Sequence, residues 1–200
     1  MDLVEGGTLS QALKEHGPMP LEKAIKVFVQ ICDALAHAHG QGVMHRDLKP
    51  SNVMLVDASN DNSNVRIVDF GLAKVVSSDQ KLTRTGVVIG TPTYSSPEQF
   101  QSKPLDHRTD IYSFGCLMFE TLTKTPPFKG QNQIELFDLH VNSPVPKLAE
   151  RGYTGDYSED LDQIISTAMS KDKAVAQSFF NSSPSTCTVA GKTQLLSGQR

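Results

Sequence analysis

Cysteine is scarce in these 200 residues, and the three present, Cys32, Cys116 and Cys187, are odd in number and lack metal-ligand spacing. That pattern points away from a disulfide framework or a structural zinc site and towards a reducing compartment, the cytoplasm. An excess of one charge is also missing. A formal net charge of -3, from 19 basic and 22 acidic residues, leaves no footprint for nucleic acid or an anionic membrane surface. No apolar run is long enough to span a bilayer, and the N-terminus has no signal-peptide pattern. A P-loop is excluded as well, because Gly191-Lys192-Thr193 has no earlier glycine at the required distance. What the chain does have is 38% hydrophobic residues, enough for one substantial core.

The most informative stretch is His45-Arg46-Asp47-Leu48-Lys49-Pro50-Ser51-Asn52. It sets a carboxylate, an ammonium and an amide into one short loop, where no helical periodicity points the three heads apart and all can converge on one group. Two β-branched runs follow, Val53-Met54-Leu55-Val56 and Val65-Arg66-Ile67-Val68. The polar turn cluster 57–64 separates them, so they read as a hairpin. Asp69-Phe70-Gly71 comes directly after it.

In this order the motifs resemble those of eukaryotic-type protein kinases. The resemblance implies that Asp47 accepts or orients a substrate hydroxyl, that Lys49 neutralises charge on the transferring γ-phosphoryl of ATP, and that Asn52 and Asp69 ligate Mg²⁺. Hard Mg²⁺ prefers such oxygen donors. His45, Phe70 and Gly71 inherit structural roles. Gly90-Thr91-Pro92-Thr93-Tyr94-Ser95-Ser96-Pro97-Glu98 resembles the close of a kinase activation segment, with Ser96 where alanine is more usual. Arg46 then becomes the dock for a phosphorylated activation loop, since guanidinium pairs bidentately with phosphate. Thr83 and Thr85 are the candidate phosphosites, and Thr91 is expected unmodified beside Asp47 and Lys49. Lys49 and Thr91 both imply serine or threonine as acceptor in a protein substrate. Val88-Ile89-Gly90-Thr91 and Ser96-Pro97-Glu98-Gln99 look most like bacterial members of the family.

The rest of the chain predicts helices at family positions, an α+β, mainly α, fold. Thr8 and Gln11 form a capping-box pattern opening a short helix that Gly17-Pro18 ends. A longer helix starts near Pro20, with Leu21, Ile25, Phe28, Cys32, Leu35 and His39 along one face. His37 and His39 lie two apart and so face opposite sides, against a shared metal. Asp110 to Thr123 is apolar nearly all round and predicts a buried helix. By resemblance, Asp110 holds the catalytic-loop backbone. Ile134, Leu136, Phe137 and Leu139 predict a further short helix. Leu161, Ile164, Ile165, Ala168 and Met169 predict the last amphipathic one.

Two departures from the family pattern qualify this reading. The 200 residues hold no glycine-rich loop, strand lysine or partner glutamate, the parts of an N-terminal lobe. Met1-Asp2-Leu3-Val4-Glu5-Gly6-Gly7 resembles the inter-lobe hinge, which puts Met1 near the gatekeeper, the backbones of Asp2 and Val4 on the adenine edge, and Met54 on its floor. The expected organisation is a kinase domain, hinge plus C-terminal lobe, over 1–173 and a disordered or aberrant tail over 174–200. Near Ala176 the arginine that the family buries against Glu98 is absent, so Glu98 is expected to be unpaired. Two functions compete: a serine/threonine protein kinase using ATP and Mg²⁺, or an inactive lobe serving as a binding module.

Overall fold

A computed structural model describes residues 6–56, 64–70, 92–155, 159–172 and 175. Strand β1 (Gly7–Thr8) leads straight into helix α1 (Leu9–His16). The turn is set by the capping box, in which the Gln11 amide donates to Thr8 Oγ1 at 3.1 Å and the Thr8 amide donates to Gln11 Oε1 at 2.8 Å. Gly17, at φ 84°, ends α1 as expected. Helix α2 (Leu21–Gly40) follows Pro20. Its buried row is Ala24, Val27, Phe28, Ile31, Cys32 and Leu35. Leu21 and Ile25 are only half-buried, so the inward face is turned slightly from the predicted one and centres on Ile31. The predicted row left out Ala24, Val27 and Ile31, all of them buried.

The hairpin forms where expected, as β2 (Val53–Val56) against β3 (Asn64–Ile67), with Val53 opposite Ile67 and Val56 opposite Asn64. It is one part of a larger sheet. β1 pairs antiparallel with the other edge of β2, giving the order β1-β2-β3. Gly6 permits this, since its φ of 137° suits glycine and a Cβ there would stand 2.5 Å from the Leu55 carbonyl oxygen. Sequence patterning could not reveal a two-residue strand, because period-2 alternation needs more residues than that.

Helix α4 (Arg108–Thr123) is the axis of the core: apart from Arg108 and Glu120, all its residues are buried. Phe28 of α2 meets Phe114 of α4 edge to face, with centroids 5.9 Å apart. On the other side α4 presses against α6 (Glu159–Ala168) at Gly115, where a Cβ would lie 2.5 Å from Met169 Cγ. Leu161, Ile165, Ala168 and Met169 are buried there, as predicted, and Ile164 is half-buried. Short helix α3 (Pro97–Phe100) and helix α5 (Gln133–Asn142) join these, with 3-10 turns at Pro50–Asn52, Pro92–Tyr94 and Leu148–Arg151. Helix α5 forms where Ile134, Leu136, Phe137 and Leu139 predict one; its buried residues are Leu136 and His140, whereas Ile134 is 81% exposed at the first turn.

Candidate active site

The loop after α2 carries unusual backbone geometry. Arg46 and Asp69 both sit at positive φ, 65° and 58°. For non-glycine residues this costs roughly 1 to 3 kcal/mol each and persists only where the surroundings hold it. At Arg46 the hold is visible. Asp110, fully buried at the start of α4, accepts the Arg46 amide on Oδ1 at 2.7 Å and the His45 amide on Oδ2 at 2.8 Å. His39, near the end of α2, donates Nε2–H to the same Oδ2 at 2.8 Å. One carboxylate therefore ties α2, α4 and the loop together, and three donors meet its buried charge. His37 is exposed and takes no part.

His45 is also buried, and both ring nitrogens are engaged. Nε2–H donates to the Val68 carbonyl at 2.9 Å, and Nδ1 accepts the Asp47 amide at 3.3 Å. Its ring lies 4.8 Å from that of Phe70. The segment carrying Asp69 is thus fastened to the loop carrying Asp47. A second fastening is the Val68 amide, which donates to the Asn52 carbonyl at 2.9 Å.

Within the loop, Lys49 Nζ lies 2.8 Å from Asp47 Oδ2, and both side chains are partly open to solvent. Asn52, buried in the turn Pro50–Asn52, donates Nδ2–H to the Asp47 carbonyl at 2.9 Å. That bond fixes which way the amide faces. Among the described residues its oxygen has a long 3.5 Å contact from the Ser51 hydroxyl, while Asp69 is exposed. Both are oxygen donors of the kind Mg²⁺ takes. Met54 is half-buried on the face of β2 opposite Val53 and Leu55. Asp2, Val4, Gly71, Thr83, Thr85 and Thr91 lie outside the described residues, as do Met1 and Ala176.

Glu98 departs from expectation. It accepts a hydrogen bond from Thr109 Oγ1 at 2.8 Å, so the unpaired carboxylate foreseen from the sequence is not found. A neutral hydroxyl on α4 satisfies it, a contact across ten intervening residues that no local pattern announces. Other contacts beyond the sequence reading lie close by. Tyr94 hydrogen-bonds Glu120 through its hydroxyl, and its carbonyl accepts from Ser113 Oγ at 2.8 Å. Burial raises both the Tyr94 phenol and the Glu120 carboxyl above their ordinary values, which keeps the phenol protonated as donor. Gln99 bridges Ser96 and Arg46, and here a signal was readable: Ser96-Pro97-Glu98-Gln99 is a capping-box spacing.

With this geometry in hand, comparison with known proteins is decisive. The protein kinase domain family matches residues 1–182. The chain belongs to the protein kinase family. Among curated relatives of this kinase chain, the serine/threonine-protein kinase PknB of Mycobacterium leprae (strain TN) is 38% identical over 173 residues, covering 86% of the chain and 27% of the relative. The serine/threonine-protein kinase pkn3 of Myxococcus xanthus is 36% identical over 177 residues, covering 87% and 32%. The kinase chain therefore spans about a quarter to a third of these relatives' lengths. A crystal structure of Rad53 1-466 in complex with AMP-PNP superposes with a TM-score of 0.70 at 26% identity, over 88% of this chain and 42% of that one. The protein-kinase-like fold follows from these matches.

Proposed function

We propose that the chain forms the hinge and C-terminal lobe of a serine/threonine protein kinase that moves the γ-phosphoryl of ATP to a protein hydroxyl. The observation that carries this reading is the Asp47–Lys49–Asn52 arrangement. Carboxylate and ammonium sit 2.8 Å apart on a loop whose backbone is bonded at both ends. In phosphoryl transfer, positioning and charge compensation supply most of the rate, so a rigid loop with this donor and acceptor set suits the reaction.

In this reading Asp47 orients the acceptor hydroxyl and takes its proton, while Lys49 offsets charge on the transferring group. Asn52 and Asp69 would hold Mg²⁺, which when bound neutralises phosphate charge. The fit rests on Asn52, whose amide nitrogen is committed to the Asp47 carbonyl, so that its oxygen is the end left to accept or ligate. Met54 would line the adenine floor, with the backbones of Asp2 and Val4 on its edge. Arg46 would receive phosphate on Thr83 or Thr85, and Thr91 would stay unmodified near Asp47. Glu98 and Asp110 support the segment and the loop. Cys32 and Cys116 are buried and not disulfide-bonded, in keeping with a reducing cytoplasmic setting. No helix among the described residues is long and apolar enough to cross a membrane.

A second reading has its own support. It takes this polypeptide by itself as a catalytically inactive kinase-lobe fragment that serves as a binding module, since the 200 residues contain no glycine-rich loop and no strand lysine. Radiolabel transfer from ATP to a generic basic protein separates the two. The chain alone is expected to be inactive, a fusion to the N-terminal lobe of a bacterial relative active, and the fusion with Asp47→Asn inactive. Robust transfer by the chain alone, or an Asp47→Asn fusion with full activity, would overturn the assignment.

A further inference from the structure

Asp47 stands between two peptide groups, and both are held. The peptide after it is gripped through its carbonyl by Asn52 Nδ2 at 2.9 Å. The peptide before it joins the Arg46 carbonyl to the Asp47 amide, and its two edges have different partners. The Asp47 amide donates to His45 Nδ1 at 3.3 Å, while the Arg46 carbonyl accepts Gln99 Nε2–H at 2.8 Å. His45 and Asn52 belong to the loop itself. Gln99 is the one of the three that reaches in from elsewhere, from α3.

We infer that Gln99 is a positioning residue for Asp47, coupling the start of α3 to the orientation of the carboxylate that receives the hydroxyl proton. Its amide works at both ends. Oε1 accepts the Ser96 amide at 2.9 Å, which locks the side chain to the N-terminus of α3, and Nε2 is thereby aimed at Arg46. The bond matters because Arg46 sits at φ 65°, a conformation that relaxes unless restrained. Asp110 restrains its amide from below through α4, and Gln99 restrains its carbonyl from the activation-segment side. A shift of α3 relative to α4 would therefore rotate the peptide entering Asp47 without touching any group that contacts substrate. The inference rests on the kinase reading for its catalytic consequence, but not for the geometry.

The two arms of Gln99 can be separated. Gln99→Glu keeps an oxygen for the Ser96 amide and sets another oxygen against the Arg46 carbonyl, so the cap survives and the clamp is lost. Gln99→Met, of similar length, removes both and serves if Gln99→Glu fails to fold. In the fusion described above, either variant is expected to lower kcat about tenfold or more with KM for ATP unchanged, as misaligned catalytic groups do. In the 200-residue chain, the Asp47 amide is expected to exchange faster with solvent deuterium in Gln99→Glu, while the α3 amides exchange as in the parent. A residue that only caps α3 would leave both turnover and Asp47 exchange at parental values in Gln99→Glu, and that result overturns the inference. Asp47→Asn in the same fusion is the separate control. If it retains transfer, the kinase reading fails while the exchange result still decides the role of Gln99.

Discussion

Lys171 holds its ammonium 2.9 Å from the phenolic oxygen of Tyr112. It also lies 5.0 Å from the centroid of that ring and 4.8 Å from that of Phe128. Lysine can only donate, so the Tyr112 hydroxyl must point its own proton elsewhere. Its partner is His140 Nδ1 at 2.9 Å, which is therefore an acceptor, and the imidazole is neutral. A relay thus runs from Lys171 through Tyr112 to a fully buried histidine on α5. Burial, then the neighbouring Lys171, lowers His140 to a pKa of about 3, and burial lowers Lys171 to about 8.

A pH dependence of stability follows. Between about pH 3 and its ordinary value near 6.5, His140 is neutral in the folded chain and protonated in the unfolded one. The unfolded state then binds more protons, so stability falls as pH drops through that window, by up to about 1.4 kcal/mol per pH unit from this group. Lys171 acts with the same sign between about 8 and 10.5, stability rising with pH. Urea unfolding from pH 4 to 7 should show a flatter profile for His140→Asn, which keeps an acceptor for Tyr112 but does not titrate. Parallel profiles for parent and variant would refute the relay.

Asp110→Asn tests the joint between α2, α4 and the loop. The amide must turn its nitrogen towards one of three N–H donors, so at least one buried bond is lost and a donor confronts a donor. The expected cost is about 3 kcal/mol in urea unfolding, in the range for breaking buried charged contacts. A cost below about 1 kcal/mol would mean that the three bonds do not persist in solution.

The Glu98–Thr109 contact predicts coupling where the sequence suggested an orphan. Thr109→Val removes the donor to a carboxylate and should cost about 1 to 3 kcal/mol. Glu98→Gln, which retains an acceptor, should cost less. A double-mutant cycle with Glu98→Ala and Thr109→Val should show an interaction of about 1 kcal/mol or more. Strict additivity of those two substitutions would remove Thr109 as the partner.

Thr83 and Thr85 are expected to be the first sites labelled when the intact kinase is incubated with ATP. A phosphate adds roughly two negative charges and three acceptor oxygens, enough to draw the segment towards a guanidinium such as Arg46. Phosphopeptide mapping checks this directly. Label found only elsewhere, or full activity after Thr83→Ala with Thr85→Ala, would remove the switch from this segment.

The family was legible from the order of residues because the loop that carries its motif is local. Asp47, Lys49 and Asn52 fall within six positions, and a loop that short brings them together whatever surrounds it, as the 2.8 and 2.9 Å contacts bear out. Helices were equally legible where caps and apolar periodicity are local properties, as in α1, whose Thr8 and Gln11 specify its start. Their facing was less so: α2 presents Ala24 and Ile31, and Ile134 stays in solvent, because which side of a helix is buried depends on what packs there. Beyond the role that the resemblance implied for Asp110, tertiary structure decided the supports of the site. Asp110 reaches His45 and Arg46 across 65 and 64 positions, His39 reaches Asp110 across 71, and Gln99 reaches Arg46 across 53. A hydrogen bond between such distant residues leaves no periodicity in the chain, since its geometry exists only once α2, α3 and α4 have packed around the loop.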